Sequence, residues 1–249
     1  MATSPTADLN PSQIDDPTVK DRLKEPFTWG WVVYRCSYGD EEIWQRMLKS
    51  LQKSVEDSLA LYQRMDLLPS HRMTIMECKD KFDGATSHDI RDHFTNWVAD
   101  TLVDKLVITP SESDQQMMRE IYSPTPGPEW NLGTRHNFCL FVDDICLESL
   151  KHMSDPVIKL LGKKFGVREP GDRDYIVYPG WEDGDTDCEE EDVGWIYIEI
   201  LDHVSLYDML MQTDFWYDLY SRPPLMWNMF DRTMPDRHPT RREKAKTQN

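Results

Sequence analysis

The stretch FTWGWVVYRCSYGDEEIW, Phe27 to Trp44, constrains the fold more than any other part of the chain. Extended, it turns Trp29, Trp31, Val33 and Arg35 one way and Gly30, Val32, Tyr34 and Cys36 the other, because side chains alternate along a strand. Both sets are mostly apolar, so both faces need cover, and the pattern predicts a central strand between two layers. Arg35 is the exception on its face. A guanidinium keeps its proton, so its head either snorkels to solvent at the strand end or meets a carboxylate. The sequence predicts a carboxylate, with Asp143, Asp144 or Glu199 as partner, since each lies on or at the end of another predicted strand.

After that strand, Gly39-Asp40 starts a helix whose stripe is Trp44, Leu48, Leu51, Val55, Leu59 and Tyr62. RMTIMECK (Arg72–Lys79) reads as a second strand. Ala85–Leu102 reads as a second helix, capped by Thr86 or Ser87 with Asp89, its stripe being Ile90, Phe94, Trp97, Val98 and Leu102. HNFCLFVDD (His136–Asp144) predicts a strand followed by a helical pattern through Lys164, and DYIVY (Asp174–Tyr178) a short strand. GWIYIEIL (Gly194–Leu201) predicts a strong strand, with Ile196, Ile198 and Ile200 on its core face, and Ser205–Tyr220 a closing helix. This alternation predicts an α/β (α+β layered) fold, with a duplicated ferredoxin-like split βαβ plait as the preferred topology. The division is a flexible tail over 1–26, a first βαβα half over 27–108 and a proline-rich hinge over 109–134. A second α/β half follows over 135–230, and a basic disordered tail over 231–249.

The composition excludes several partners. A net charge of −17 makes nucleic acid and anionic lipid surfaces poor partners, because phosphates must be neutralised by lysine or arginine. No apolar run approaches the roughly 20 residues that span a bilayer, and the first residues lack the pattern of a secretory signal. Five scattered cysteines without a CxxC pair read as reduced core thiols. An intracellular, cytoplasmic protein is the expectation. GxSxG, P-loop and GxGxxG signatures are missing from the sequence, so no cofactor is implied.

The combination of WGWVVYRCSYGDEEIW, LFVDD, EDVGWIYI and Arg222-Pro223-Pro224 resembles a family of uncharacterised proteins of filamentous fungi. The resemblance extends over most of the chain after residue 27. It implies a cytoplasmic fungal protein and brings no activity with it.

Four sets of residues are candidates for chemistry. In Trp181–Asp192, Asp183, Asp185 and Asp187 imitate the first ligands of a calcium loop, but Cys188 and Gly194 stand where that loop needs glycine and glutamate, so a solvated acidic loop is preferred to a metal site. His88 and His93 are five apart, off one helical face, and each has an aspartate at four residues' spacing, which predicts surface ion pairs. His136 with Asp143 and Asp144 brackets a strand, where paired acids serve either acid–base chemistry or helix capping. Trp195, Tyr197, Glu199, Trp216 and Tyr220 could line a ligand groove or a partner surface, or be covered by the closing helix. The preferred reading is an acidic interaction or regulatory protein with an aromatic-lined surface, taking a protein partner, a small hydrophobic ligand or a second copy of itself. The alternative is a motif-poor cyclase or isomerase with Arg35, His136, Asp143 and Glu199 around a plait cavity. Convergence of those four residues would favour the enzyme; scatter favours the interaction protein.

Overall fold

Val32–Arg35 (β1) is buried at all four positions, and the rest of the sheet is assembled around it. The computed structural model describes residues 13–24, 26–119, 132–163, 192–223 and 225–227. Within these, Thr74–Met76 (β2) and Phe138–Val142 (β3) flank β1 as parallel partners, Val33 facing both Ile75 and Leu140. Val157–Gly162 (β4) and Trp195–Glu199 (β5) continue the sheet antiparallel, giving the order β2-β1-β3-β4-β5. Alternation sorts the side chains as the sequence predicts: Trp29, Trp31 and Val33 enter one core, Val32, Tyr34 and Cys36 the other.

One helix covers each face over β1. Asp40 accepts a hydrogen bond from the Ile43 N–H and starts Glu41–Leu61 (α2), whose Trp44, Met47, Leu51, Val55 and Leu59 join the Trp31 core. Leu48, placed on the same stripe by sequence, is half-buried. After the short helix Lys79–Phe82 (α3), Thr86 and Asp89 close a capping box at the head of Ser87–Lys105 (α4), and Ile90, Phe94, Val98 and Leu102 cover the opposite face. The chain therefore passes from β1 to β2 over one face and from β2 back past β1 to β3 over the other. That is a doubly wound β–α–β–α–β unit followed by an antiparallel meander. The described strands form one mixed α/β sheet and do not repeat a plait, and the two predicted halves share it through the β1–β3 pairing.

Three expectations change. The helical pattern read through Lys164 stops early: Asp144–His152 (α7) ends at Met153, and β4 follows Pro156. Proline disfavours helix in the residue before it, and the next six residues are buried on both faces, a run whose period cannot tell strand from buried helix. The closing helix is also broken, into His203–Met209 (α8) and Trp216–Leu219 (α9) around a short 3-10 turn at Thr213–Phe215. Of the proline-rich segment, Glu112–Arg119 (α5) packs beside α4 through buried Met118 and an Arg119–Asp100 ion pair of 2.7 Å. DYIVY, the Asp183–Asp187 loop and residues 231–249 lie outside the described residues.

The third change concerns the amino-terminal segment, where a flexible tail was expected. Residues 13–24 dock on the body. Ile14 is fully buried, and the Asp208 carboxylate on α8 accepts hydrogen bonds from the Gln13 and Ile14 N–H groups at 2.8 and 2.9 Å. Pro17–Lys20 (α1) buries Val19, and Leu23 forms a bridge with Leu106 beyond α4. Asp15 also pairs with Arg64. The prolines that suggested a tail instead place a capped turn, with Asp16 accepting from Thr18 and Pro17 at the first helical position. Replacing Ile14 with alanine is expected to cost about 2–4 kcal/mol in urea unfolding. A loss within the error of the wild type would mean that the segment contributes nothing to the fold.

Candidate functional site

In an open sheet of this kind ligands bind beyond the carboxyl ends of the strands, where the winding direction reverses. Here that point lies between β1 and β3, and Arg35 and Asp143 stand on either side of it: Arg35 ends β1, and Asp143 follows β3. The two helices that begin at this edge, α2 and α7, are both capped from within the chain. Asp40 takes the Ile43 N–H and Asp143 takes the Cys146 N–H, each at 3.0 Å. Their first turns carry Glu41, Glu42 and Asp144. Those caps occupy amides that a phosphate would use, and the surrounding carboxylates repel it.

Arg35 is 6% exposed and does meet carboxylates, but not those the sequence nominated. Its partners are Glu41, at 2.7 Å, and Glu77 just beyond β2, at 3.8 Å. Its Nε donates to the Ser37 carbonyl, and the guanidinium lies over the rings of Tyr38 and Trp44. Glu77 accepts the Trp44 indole N–H at 2.6 Å. The register explains the difference. Asp143 follows the next strand on the face opposite Arg35, whereas Glu41 is the first helical residue after the β1 turn.

Asp143 has a cation of its own. Lys159, in the middle of β4, is 2% exposed, and its ammonium lies 2.8 Å from the Asp143 carboxylate and over the rings of Trp195, Tyr197 and Phe141. Burial pulls the Asp143 carboxyl upward; Lys159 and the Cys146 amide outweigh it and hold the group below its usual range. A lone lysine inside the apolar run VIKLLG was the available signal, since such a position demands an internal anion.

Asp155, Glu199 and Asp202 gather farther along the same edge, where the Ile200 N–H bonds to the Pro156 carbonyl. Burial, then Glu199, then Asp155, push the Asp202 carboxyl up to about 6. Leu201, between two of these acids, is 59% exposed.

His136 lies at the opposite end of the sheet, before β3, so the four residues proposed for an enzyme cavity do not meet. Trp195, Tyr197 and Trp216 are fully buried and do not form a surface. Trp195 and Tyr197 belong to the core under α4, while Trp216 and half-buried Tyr220 pack with the other core. Alternation on β5 sends the two aromatics of that strand away from the closing helices. Trp216 donates to Asp192, and the Tyr220 hydroxyl accepts from the Val193 N–H. His93 hydrogen-bonds the Tyr34 hydroxyl at 2.9 Å, where an ion pair with aspartate was expected. Among the described residues no group of three or more His, Cys, Asp or Glu side chains is placed to hold a metal, and no helix is long and apolar enough to cross a membrane. The candidates Asp183, Asp185 and Asp187 lie outside those residues.

No protein-family model, curated protein or solved structure matches this chain.

The ion pairs of Arg35 and Lys159 respond differently to loss of one member. Arg35→Met should cost about 1–2 kcal/mol, because Glu77 and Glu41 are exposed enough to be rehydrated. Asp143→Asn should cost more, about 3 kcal/mol, since it strands an ammonium under aromatic rings. Equal losses in chemical denaturation would refute the asymmetry.

Three buried histidines give a pH dependence. Burial, reinforced by neighbouring cations, lowers His71 to about 4 and His136 to about 3, and burial lowers His203 to about 4. The unfolded chain binds these protons near pH 6.5 and the folded chain does not. Their contribution is complete above pH 6.5 and is lost as pH falls through 6.5 towards 4. Between pH 7 and pH 5 unfolding free energy should drop by roughly 2 kcal/mol per histidine. A flat urea midpoint over that range would contradict their burial.

Proposed function

We propose that this chain is an interaction protein that presents its acidic carboxyl edge to a basic segment of a protein partner. The observation that carries the reading is the Asp155, Glu199 and Asp202 group around exposed Leu201. Burial, then the like charges of Glu199 and Asp155, hold Asp202 at about 6, so the free protein is destabilised there at neutral pH. A partner bringing lysine or arginine relieves that repulsion, and an apolar side chain beside it covers Leu201. The internally capped helix ends at the winding reversal support the same choice, since they disfavour the nucleotide and phosphate ligands that this edge usually takes. The separation of His136 from Arg35, Asp143 and Glu199 supports an interaction protein over a cyclase or isomerase. The buried state of Trp195, Tyr197 and Trp216 moves the proposed surface from aromatic to acidic.

Two measurements test this. Asp202 makes no capping hydrogen bond to α8, so Asp202→Asn removes charge without removing a cap. A carboxyl raised above its unfolded value stabilises fully below pH 3.8 and loses that contribution as pH rises through about 6. The variant should therefore melt higher than the wild type at pH 7.5 and show a smaller gain at pH 5. In calorimetry, a lysine-rich peptide with one leucine should bind the wild-type chain, weaken with salt, and bind Glu199→Gln/Asp202→Asn about tenfold less tightly. Binding that ignores both salt and the double substitution would end the proposal.

A further inference from the structure

Leu201 and Asp202 are presented by a single turn, and a buried histidine fastens it. Glu199 ends β5, and the 3-10 turn Ile200–Asp202 then swings Leu201 out to solvent while Ile200 stays in the core. Three elements hold the peptide groups of Ile200. Its N–H donates to the Pro156 carbonyl, just ahead of β4, at 2.9 Å. Its carbonyl accepts from the Ser54 hydroxyl on α2 at 3.0 Å and lies 2.6 Å from Nδ1 of His203, the first residue of α8. A carbonyl only accepts, so the imidazole proton sits on Nδ1. The Ser54 oxygen is 3.3 Å from the same nitrogen, which closes a buried triangle of Ser54, His203 and Ile200.

His203 is itself held in place. The Trp31 indole N–H donates to its carbonyl at 3.2 Å. One turn further along α8, the Tyr207 carbonyl accepts from the Thr134 hydroxyl, on the short helix Thr134–Asn137 (α6), at 2.6 Å. With the proton on Nδ1, the ring's Nε2 is an acceptor, buried and without a hydrogen-bond partner among the described residues. A second proton there finds nothing to donate to. Ser54 from α2 and Trp31 from β1 bring no charge to the ring, and the titratable group that bears on it, His71 ahead of β2, repels it when charged.

We propose that His203 is a positioning residue of the acidic partner surface: through the Ile200 carbonyl it fixes where Leu201 and Asp202 stand, and a second proton on its ring lets them go. This role rests on the reading of that edge as a partner surface, whereas the fastening itself is measurable without a partner. Acid acts on the turn in two opposed ways. A proton on Asp202 removes its repulsion with Glu199 and Asp155 and tightens the turn, while a proton on His203 loosens it. Asp202→Asn therefore isolates the histidine.

Amide hydrogen exchange of the full chain, corrected for intrinsic rates, reads the Ile200 N–H directly. His203→Phe keeps a ring and removes the donor, and it should lower Ile200 protection about tenfold, the worth of one buried hydrogen bond. His203→Asn, whose side-chain amide offers an N–H in place of Nδ1, should restore most of that protection. In the Asp202→Asn background, protection should fall about twentyfold from pH 7 to pH 5, as for a ring at about 4 in the closed turn and about 6.5 in the open one. With His203→Asn added, it should stay level. If His203→Phe does not fold, Ser54→Ala, which removes the other donor, and the pH comparison decide. Calorimetry at pH 7.5 adds the partner: the lysine-rich peptide should bind His203→Asn as it binds the wild type, and His203→Phe several-fold more weakly. Unchanged Ile200 protection in His203→Phe, or a loss no larger than at Leu140 in the central strand β3, would overturn the fastening whatever the peptide does. A wild-type chain that does not bind the peptide would overturn the partner reading, and this role with it, while the exchange rates would still report the fastening.

Discussion

An ammonium ion in the middle of a β-sheet sets terms for everything packed around it. Tyr34, Phe141, Lys159 and Tyr197 stand side by side across β1, β3, β4 and β5, a row of three aromatic rings interrupted by one charge. Buried without an anion, that charge would cost more than any single apolar contact returns. Asp143 supplies the anion, and the same carboxylate caps α7, so the end of β3, the start of α7 and the middle of β4 are fixed by one group. From α7 the tie continues through Lys151 to Asp40, and from α2 through Glu41 to Arg35 and Glu77. The Lys151–Asp40 link is exposed and weak. The buried pair at Lys159 is the strong end of this line.

The two ends of the strands differ in chemistry. Asp40, Glu41, Asp143, Asp155, Glu199 and Asp202 lie at the carboxyl end, three of them paired with Lys151, Arg35 and Lys159, and Arg135 meets the Arg72 and Gly30 carbonyls at the amino end. A net charge of −17 says nothing of this separation. It arises because caps for α2 and α7 are drawn from acids at one end, while the carbonyls of Gly30 and Arg72 recruit a guanidinium at the other.

Features that depend on local periodicity were legible in the sequence. The two-faced burial of β1, the α2 and α4 stripes, the Thr86–Asp89 box and the isoleucine face of β5 all follow from spacing within a few residues. The strand order was not legible, because β1 pairs with β3 across more than a hundred residues and no short-range pattern records it. The role of Lys159 is not legible, because a continuous apolar run reads equally as helix or strand, and only in a strand does its charge face the Asp143 side. The partner of Arg35 is hidden for a related reason: a carboxylate at the start of the very next helix, Glu41, and one just past the neighbouring strand, Glu77, reach it, and strand-end acids such as Asp143 do not. Trp195 and Tyr197 were correctly placed on one face, but whether a face is covered depends on layers that the strand's own sequence does not contain.

The docking of Ile14 has a consequence in time. Its backbone and that of Gln13 are held by a carboxylate 194 and 195 positions later in the chain. At a synthesis rate of roughly 5–20 residues per second, that partner emerges on the order of ten to forty seconds after the segment it must hold. During that interval β1, α2 and β2 are already available to each other, while Ile14 has no pocket, since α8 does not yet exist. The first described segment to be made is thus among the last to be seated, and its closure across the body waits on α8.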